Sequence, residues 1–117
     1  MNYQTAIRWY PETMRTIEGS SITNAMFTAI GGPLLHPCRQ FIVQNYTDQI
    51  LDFSIDGINP HFSMAATSGI IDDVTSNAAL SKGLMLAQGE TLYVRGRSGT
   101  TPTGSVDFSV FYASDGQ

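Results

Sequence analysis

Charge is scarce in this chain. Charged side chains make up 14% of its 117 residues, where ordinary soluble domains carry about 25%. The surface therefore relies on Ser, Thr, Asn, Gln and Gly, a composition that suits a protein held against other proteins. The formal net charge is −4, and the six cations are scattered apart from Arg95-Gly96-Arg97. That balance argues against nucleic acid as a partner. Cysteine is scarcer still. Cys38 is the only one, so an intrachain disulfide is excluded. Lying between Pro37 and Arg39 at the entry to an apolar strand, it reads as a small buried hydrophobe rather than a nucleophile. The two histidines, His36 and His61, have no companion at metal-ligand spacing, so neither a metal nor a cofactor is expected. No apolar run approaches the roughly 18 residues of a membrane span. No basic stretch followed by an apolar run opens the sequence, so no secretory signal is expected.

Catalytic signatures are missing as well. There is no G-x-S-x-G elbow and no phosphate-cradling G-x-x-x-x-G-K. Asp72 and Asp73 are adjacent, so on a strand they face opposite sides and form no acid–base pair. Asp52-Phe53-Ser54-Ile55-Asp56-Gly57 matches the start of a calcium loop, but Ser63 stands where the bidentate Glu belongs. Phe53 and Ile55 between the polar residues fit strand alternation better. Asn45-Tyr46-Thr47 is formally a glycosylation sequon and reads as a turn Asn beside a solvated Thr. Arg95 and Arg97 read as a partner-facing or solvated pair. No enzyme is expected.

What the sequence does carry is period-two alternation. Phe41 and Val43 alternate with Ile42 and Gln44, and Leu51, Phe53 and Ile55 with Asp52, Ser54 and Asp56. Turn residues separate the two runs at Asn45-Tyr46-Thr47-Asp48, and Asp56-Gly57 is a hairpin-type turn leading to a third strand at His61, Phe62 and Met64. Near the end, Leu92 and Val94 share one face of a strand. Val106, Phe108, Val110 and Tyr112 then alternate with Asp107, Ser109 and Phe111. Weaker strand candidates lie at 16–23, 25–30 and 70–74, and Ser76 caps a possible helical turn at 76–80. This spacing predicts an all-β, antiparallel β-sandwich of jelly-roll-like type, with an N-terminal arm over residues 1–15 and a single sandwich domain over 16–117. The tail 113–117 is small and polar and is expected to fray.

Two pairs of aromatics stand out as partner-binding candidates. Trp9 and Tyr10 belong either to a first strand packed on its own domain or to an arm that anchors on a neighbouring subunit. Tyr93 and Phe111 fall on the outward parity of their strands. There they mark either an interface or a face covered by the chain's own loops.

The order of these features resembles small β-sandwich structural proteins of tailed-phage virions. The residues that carry the likeness are Thr16-Ile17-Glu18-Gly19, Ile30-Gly31-Gly32-Pro33-Leu34 and Phe41-Ile42-Val43-Gln44-Asn45-Tyr46-Thr47-Asp48. Further on they are Phe53-Ser54-Ile55-Asp56-Gly57 with His61-Phe62, Leu86-Ala87-Gln88-Gly89-Glu90-Thr91-Leu92-Tyr93-Val94 and Thr103-Gly104-Ser105-Val106. The likeness spans residues 16–112. It implies a capsid decoration (cement) protein, made in the host cytoplasm and resident on the virion surface. Its expected partner is the major capsid protein, with self-association as a dimer or trimer, and with neither nucleic acid nor membrane as a partner. A collar, head–tail adaptor or tail protein is the alternative within the virion. A carbohydrate-binding sandwich, with Tyr93, Phe111 or Trp9 stacking on sugars, is the alternative outside it.

Overall fold

The computed structural model describes residues 9–73 and 86–113. Among these residues nine strands run in order: β1 Trp9–Pro11, β2 Arg15–Glu18, β3 Thr28–Ala29, β4 Gln40–Asn45, β5 Leu51–Ser54, β6 Phe62–Met64, β7 Ser68–Asp73, β8 Tyr93–Gly96 and β9 Ser105–Ala113. They pair in a nested way, all antiparallel. β5 takes β6, β4 takes β7, β3 takes β8, and β2 takes β9. The chain is thus one long hairpin with its tip at Asp56-Gly57. Winding that hairpin brings β9 beside β4 and β8 beside β5. Two sheets result, β1-β9-β4-β7 with β2 also on β9, and β3-β8-β5-β6. This is the winding of a jelly roll.

The alternation explains the two layers. Phe41 and Val43 of β4 and Val106, Phe108 and Val110 of β9 turn inward from the first sheet. Leu51 and Phe53 of β5 and Val94 of β8 meet them from the second, and all are buried. Phe41 and Phe108 touch edge to face, with centroids 6.3 Å apart. Each fully buried side chain of this size contributes about 1.5–3 kcal/mol of hydrophobic stabilisation. Loop residues Ile22, Ile30, Leu34, Cys38, Leu86 and Leu92 close the core, so Cys38 is the buried hydrophobe that its setting predicts. Among the described residues, no helix is long and apolar enough to cross a membrane.

Several local expectations change. The turn after Asn45 does not join neighbours, because β4 and β5 lie in different sheets and the segment crosses between them. Its Asn45 side chain is fully buried and is the hub of the crossing. Nδ2 donates to the carbonyls of Gln49 at 3.0 Å, Ala65 at 3.0 Å and Met64 at 3.4 Å. Oδ1 accepts from the Thr47 amide and hydroxyl. Thr47 is also buried rather than solvated. The polar face of β5 is covered too, with Asp52 and Ser54 both buried. Asp52 Oδ1 accepts from Arg97 Nε at 3.0 Å.

At the same end of the sandwich three segments meet at backbone distance. Gly19 N donates to Gly104 O at 2.7 Å, and Tyr46 N donates to Ser105 O at 2.8 Å. Gly104 has φ +99°, and a Cβ there would collide with the Tyr46 carbonyl. Only glycine combines that dihedral with that approach.

The segment read as an arm divides. Residues 9–11 form β1 on the chain's own β9, with Trp9 opposite Ala113, Tyr10 opposite Tyr112 and Pro11 opposite Phe111. The sandwich therefore begins before residue 16. Residues 1–8, the helical turn at 76–80 and most of the fraying tail, 114–117, lie outside the described residues.

Candidate functional site

β1 and β2 pair with different stretches of β9, residues 111–113 and 105–108. Between them the chain leaves the ladder at residues 12–14, although Glu12 N still donates to Val110 O at 2.9 Å. This break turns the Glu12 side chain into the margin of the sandwich, where it is only 2% exposed. Four contacts fill its oxygens. Oε1 accepts from Arg15 Nη2 at 2.8 Å, and the Leu35 amide is shared between Oε1 at 3.3 Å and Oε2 at 3.1 Å. Oε2 lies 2.9 Å from His36 Nδ1. An ionised carboxylate only accepts, so Nδ1 carries the proton in this contact. Burial, the largest single influence, raises the Glu12 carboxyl. The hydrogen bonds from Arg15, His36 and Leu35, with the attraction of the Arg15 charge, together outweigh it and hold the carboxyl below its ordinary value.

Arg15 completes the clamp. Nε donates to Gly32 O at 3.0 Å and Nη2 to Pro33 O at 3.0 Å. Its aliphatic stem lies over Gly31 (φ +70°), where a Cβ would come within 2.7 Å of Cγ. The loop at 31–36 is thus fixed to the first sheet by one acid and one base. The His36 ring continues the contact by stacking on Tyr112, and Tyr10 meets Tyr112 edge-on with centroids 5.8 Å apart. The result is a cleft of about 410 Å³ lined by Pro11, Glu12, Met14, Leu35, His36 and Tyr112, among others. Its polar groups face one another. Its rim is apolar, with Met14 53% and Leu35 67% exposed. Met14 and Leu35 thus stand in solvent beside a loop that hydrogen bonds tie to the first sheet.

A second groove, of about 550 Å³, opens at the opposite margin between β6 and β7. Phe41, Ile55, Phe62 and Ile70 line it, with His61, Asp72 and Glu90 at the rim.

The four sequence-selected aromatics are not gathered into one place. The backbone of Trp9 pairs with Ala113, and Tyr10 borders the cleft through Tyr112. Phe111 is half-buried on the outer face of the first sheet, between Pro11 and Gln40. Tyr93 sits in the other sheet, and its ring lies against Gly57, 3.2 Å from where a Cβ would be. For Tyr93 the cover is therefore the chain's own β5–β6 turn.

The residues that sequence reasoning passed over are Glu12, Met14, Leu35 and His36. Only the apolar character of Met14 and Leu35 in loop surroundings hinted at them. The apparent calcium loop also resolves into turn chemistry. Asp56 Oδ1 accepts from the amides of Ile58 at 2.8 Å and Asn59 at 2.9 Å and from Ser54 Oγ at 2.9 Å. Those backbone amides, Asn59 first, hold the Asp56 carboxyl well below the usual carboxylate range.

No protein-family model matches this chain, and no curated protein matches it.

Proposed function

We propose that this chain is a non-enzymatic virion structural protein, a capsid decoration (cement) protein of a tailed bacteriophage. It would bind the outer surface of the shell made by the major capsid protein and stiffen it. The observation that carries this reading is the clamped apolar margin. Met14, in the break between β1 and β2, and Leu35, on the loop that Glu12 and Arg15 fix, stand in solvent around the cleft that Tyr112 also lines. A surface held rigid in advance loses little entropy when a partner covers it. Repeated over many equivalent coat subunits, a modest contact of this kind is enough to reinforce a shell. The fold supports the reading by analogy alone, since double-sheet jelly rolls serve in viral capsids and in lectins.

The test is cosedimentation of the purified protein with heads of a tailed phage that encodes this sequence. Binding at a copy number proportional to the coat subunits is expected, and a Met14→Asp, Leu35→Asp double variant should lose it while keeping its fold. Binding restricted to a single vertex would point instead to a collar or head–tail adaptor. Absence of binding to heads would remove the decoration reading.

A further inference from the structure

We propose that the groove between β6 and β7 receives an extended, cationic segment of a partner protein, which adds to the free edge of β7 as a further strand of the first sheet. The inference stands apart from the capsid reading, which uses the opposite margin. Both sheets end here. Among the described residues β7 is the last strand of the first sheet and β6 the last of the second. Register aims β7 into the gap between them. Ile70 stands opposite Val43 and Asp72 opposite Phe41, and directly opposed residues share a face. Both therefore belong to the inward set, at a margin where no further described strand covers them. From the second sheet Phe62 stands opposite Phe53, the two rings stacked with centroids 5.1 Å apart. Ile55, Phe62 and Ile70 pack on the core and stay partly open. The groove of about 550 Å³ thus has an apolar floor.

The edge supplies the binding mode. β4 takes up one side of β7, and among the described residues no strand pairs with the other. Alternate backbone N–H and C=O groups of β7 therefore face outward, open to a partner strand. A strand added about 4.8 Å beyond β7 overhangs the groove, and every second side chain drops into it. Charge selects the occupant. Asp72 is exposed, and its carboxylate takes part in none of the ion pairs among the described residues. Glu90 is the second acid of the rim, its Oε1 accepting from the Ala87 amide at 2.8 Å. His61 adds no charge in this arrangement, because its Nδ1 accepts from the Ile55 amide at 3.0 Å and an accepting ring nitrogen carries no proton. No Lys or Arg is among the described residues that line the groove. Two acids at its mouth repel an acidic strand, a second β7 with its Asp72-Asp73 included, and attract a basic one. In the added strand, the residues opposite Asp72 and Ile70 are two apart. The segment that fits therefore carries a Lys or Arg two residues from an apolar side chain, the cation at Asp72 and the apolar group over Ile70 and Phe62.

Heteronuclear NMR of the full chain titrated with acetyl-Lys-Thr-Leu-Thr-Lys-amide tests this, with acetyl-Glu-Thr-Leu-Thr-Glu-amide as the control. The Lys peptide is expected to bind, shifting the signals of Gly69, Ile70, Asp72 and Phe62 and slowing the exchange of alternate β7 amides. The Glu peptide should not bind. Asp72→Lys should weaken binding of the Lys peptide by at least about tenfold and admit the Glu peptide. Asp72 is exposed, so this variant should keep the wild-type circular dichroism and melting curve. Should it fail to fold, Asp72→Asn takes its place and should weaken the Lys peptide in the same direction by less. Four results would each overturn the proposal: no binding of the Lys peptide, equal binding of the two peptides, binding that Asp72→Lys leaves unchanged, or binding that slows no β7 amide. The capsid reading is decided separately, by the Met14→Asp, Leu35→Asp variant at the other margin.

Discussion

The His36 imidazole lies flat on the Tyr112 ring, centroids 3.5 Å apart and planes within 6° of parallel, while its Nδ1 stands 2.9 Å from the buried Glu12 carboxylate. One side chain thereby ties the loop at 31–36 both to the β1–β2 break and to β9. The exposed Leu35 beside it inherits that fixation through its own amide.

Glu12→Gln is expected to destabilise the fold by about 1–3 kcal/mol, because one oxygen of the carboxylate becomes a donor facing other donors. Urea denaturation followed by fluorescence measures it. Glu12→Ala should cost at least as much and should raise hydrogen exchange at Leu35.

Acid should weaken the fold through the same residue. The Glu12, Asp48 and Asp56 carboxyls are all held below their ordinary values. For a group whose folded value is depressed, the unfolded chain takes up the proton first. The stabilisation is therefore complete above the ordinary carboxylate range, about pH 4, and is lost as pH falls through the folded value. Thermal melts between neutral pH and pH ~2.5 should show the midpoint falling below pH ~4. Glu12→Gln should flatten part of that fall.

Asn45→Asp should cost roughly 2–4 kcal/mol, since it removes a buried donor facing three carbonyls and puts negative charge among them. Asn45→Ala should be similar. A variant as stable as the wild type would refute the assignment of Asn45 as the hub of the crossing between sheets.

Gly104→Ala should destabilise by about 1–3 kcal/mol through its positive φ and its collision with the Tyr46 carbonyl. Gly99→Ala is the control. A Cβ at Gly99 meets nothing within 4 Å, and the change should leave the melting midpoint near that of the wild type.

Much of this architecture is legible in the sequence because alternation reports burial directly. The inward sets Phe41/Val43, Leu51/Phe53 and Val106/Phe108/Val110 are buried as their spacing predicts. The crossing at Asn45 is not legible as such. A turn within one sheet and an arch between two sheets use the same residue types, and only the buried bonds of Asn45 tell them apart. The cleft is the least legible feature. Glu12 and His36 are 24 residues apart, and neither sits in an alternating run. Tyr93 is on the outward parity as read, but the ring's cover, Gly57, comes from a turn on another strand.

The nested pairing also governs the order in which the fold can be completed during synthesis. β9 is the strand against which β1, β2 and β4 all pair, and it follows every other strand among the described residues. While a ribosome is still making it, the first sheet has no centre. The hairpin tip at Asp56-Gly57 can close early, but the Thr16–Asp107 contact spans 91 residues. A nascent chain halted before residue 105 should thus stay open to protease at its N-terminal strands, and release of β9 should close both ends of the molecule in one step.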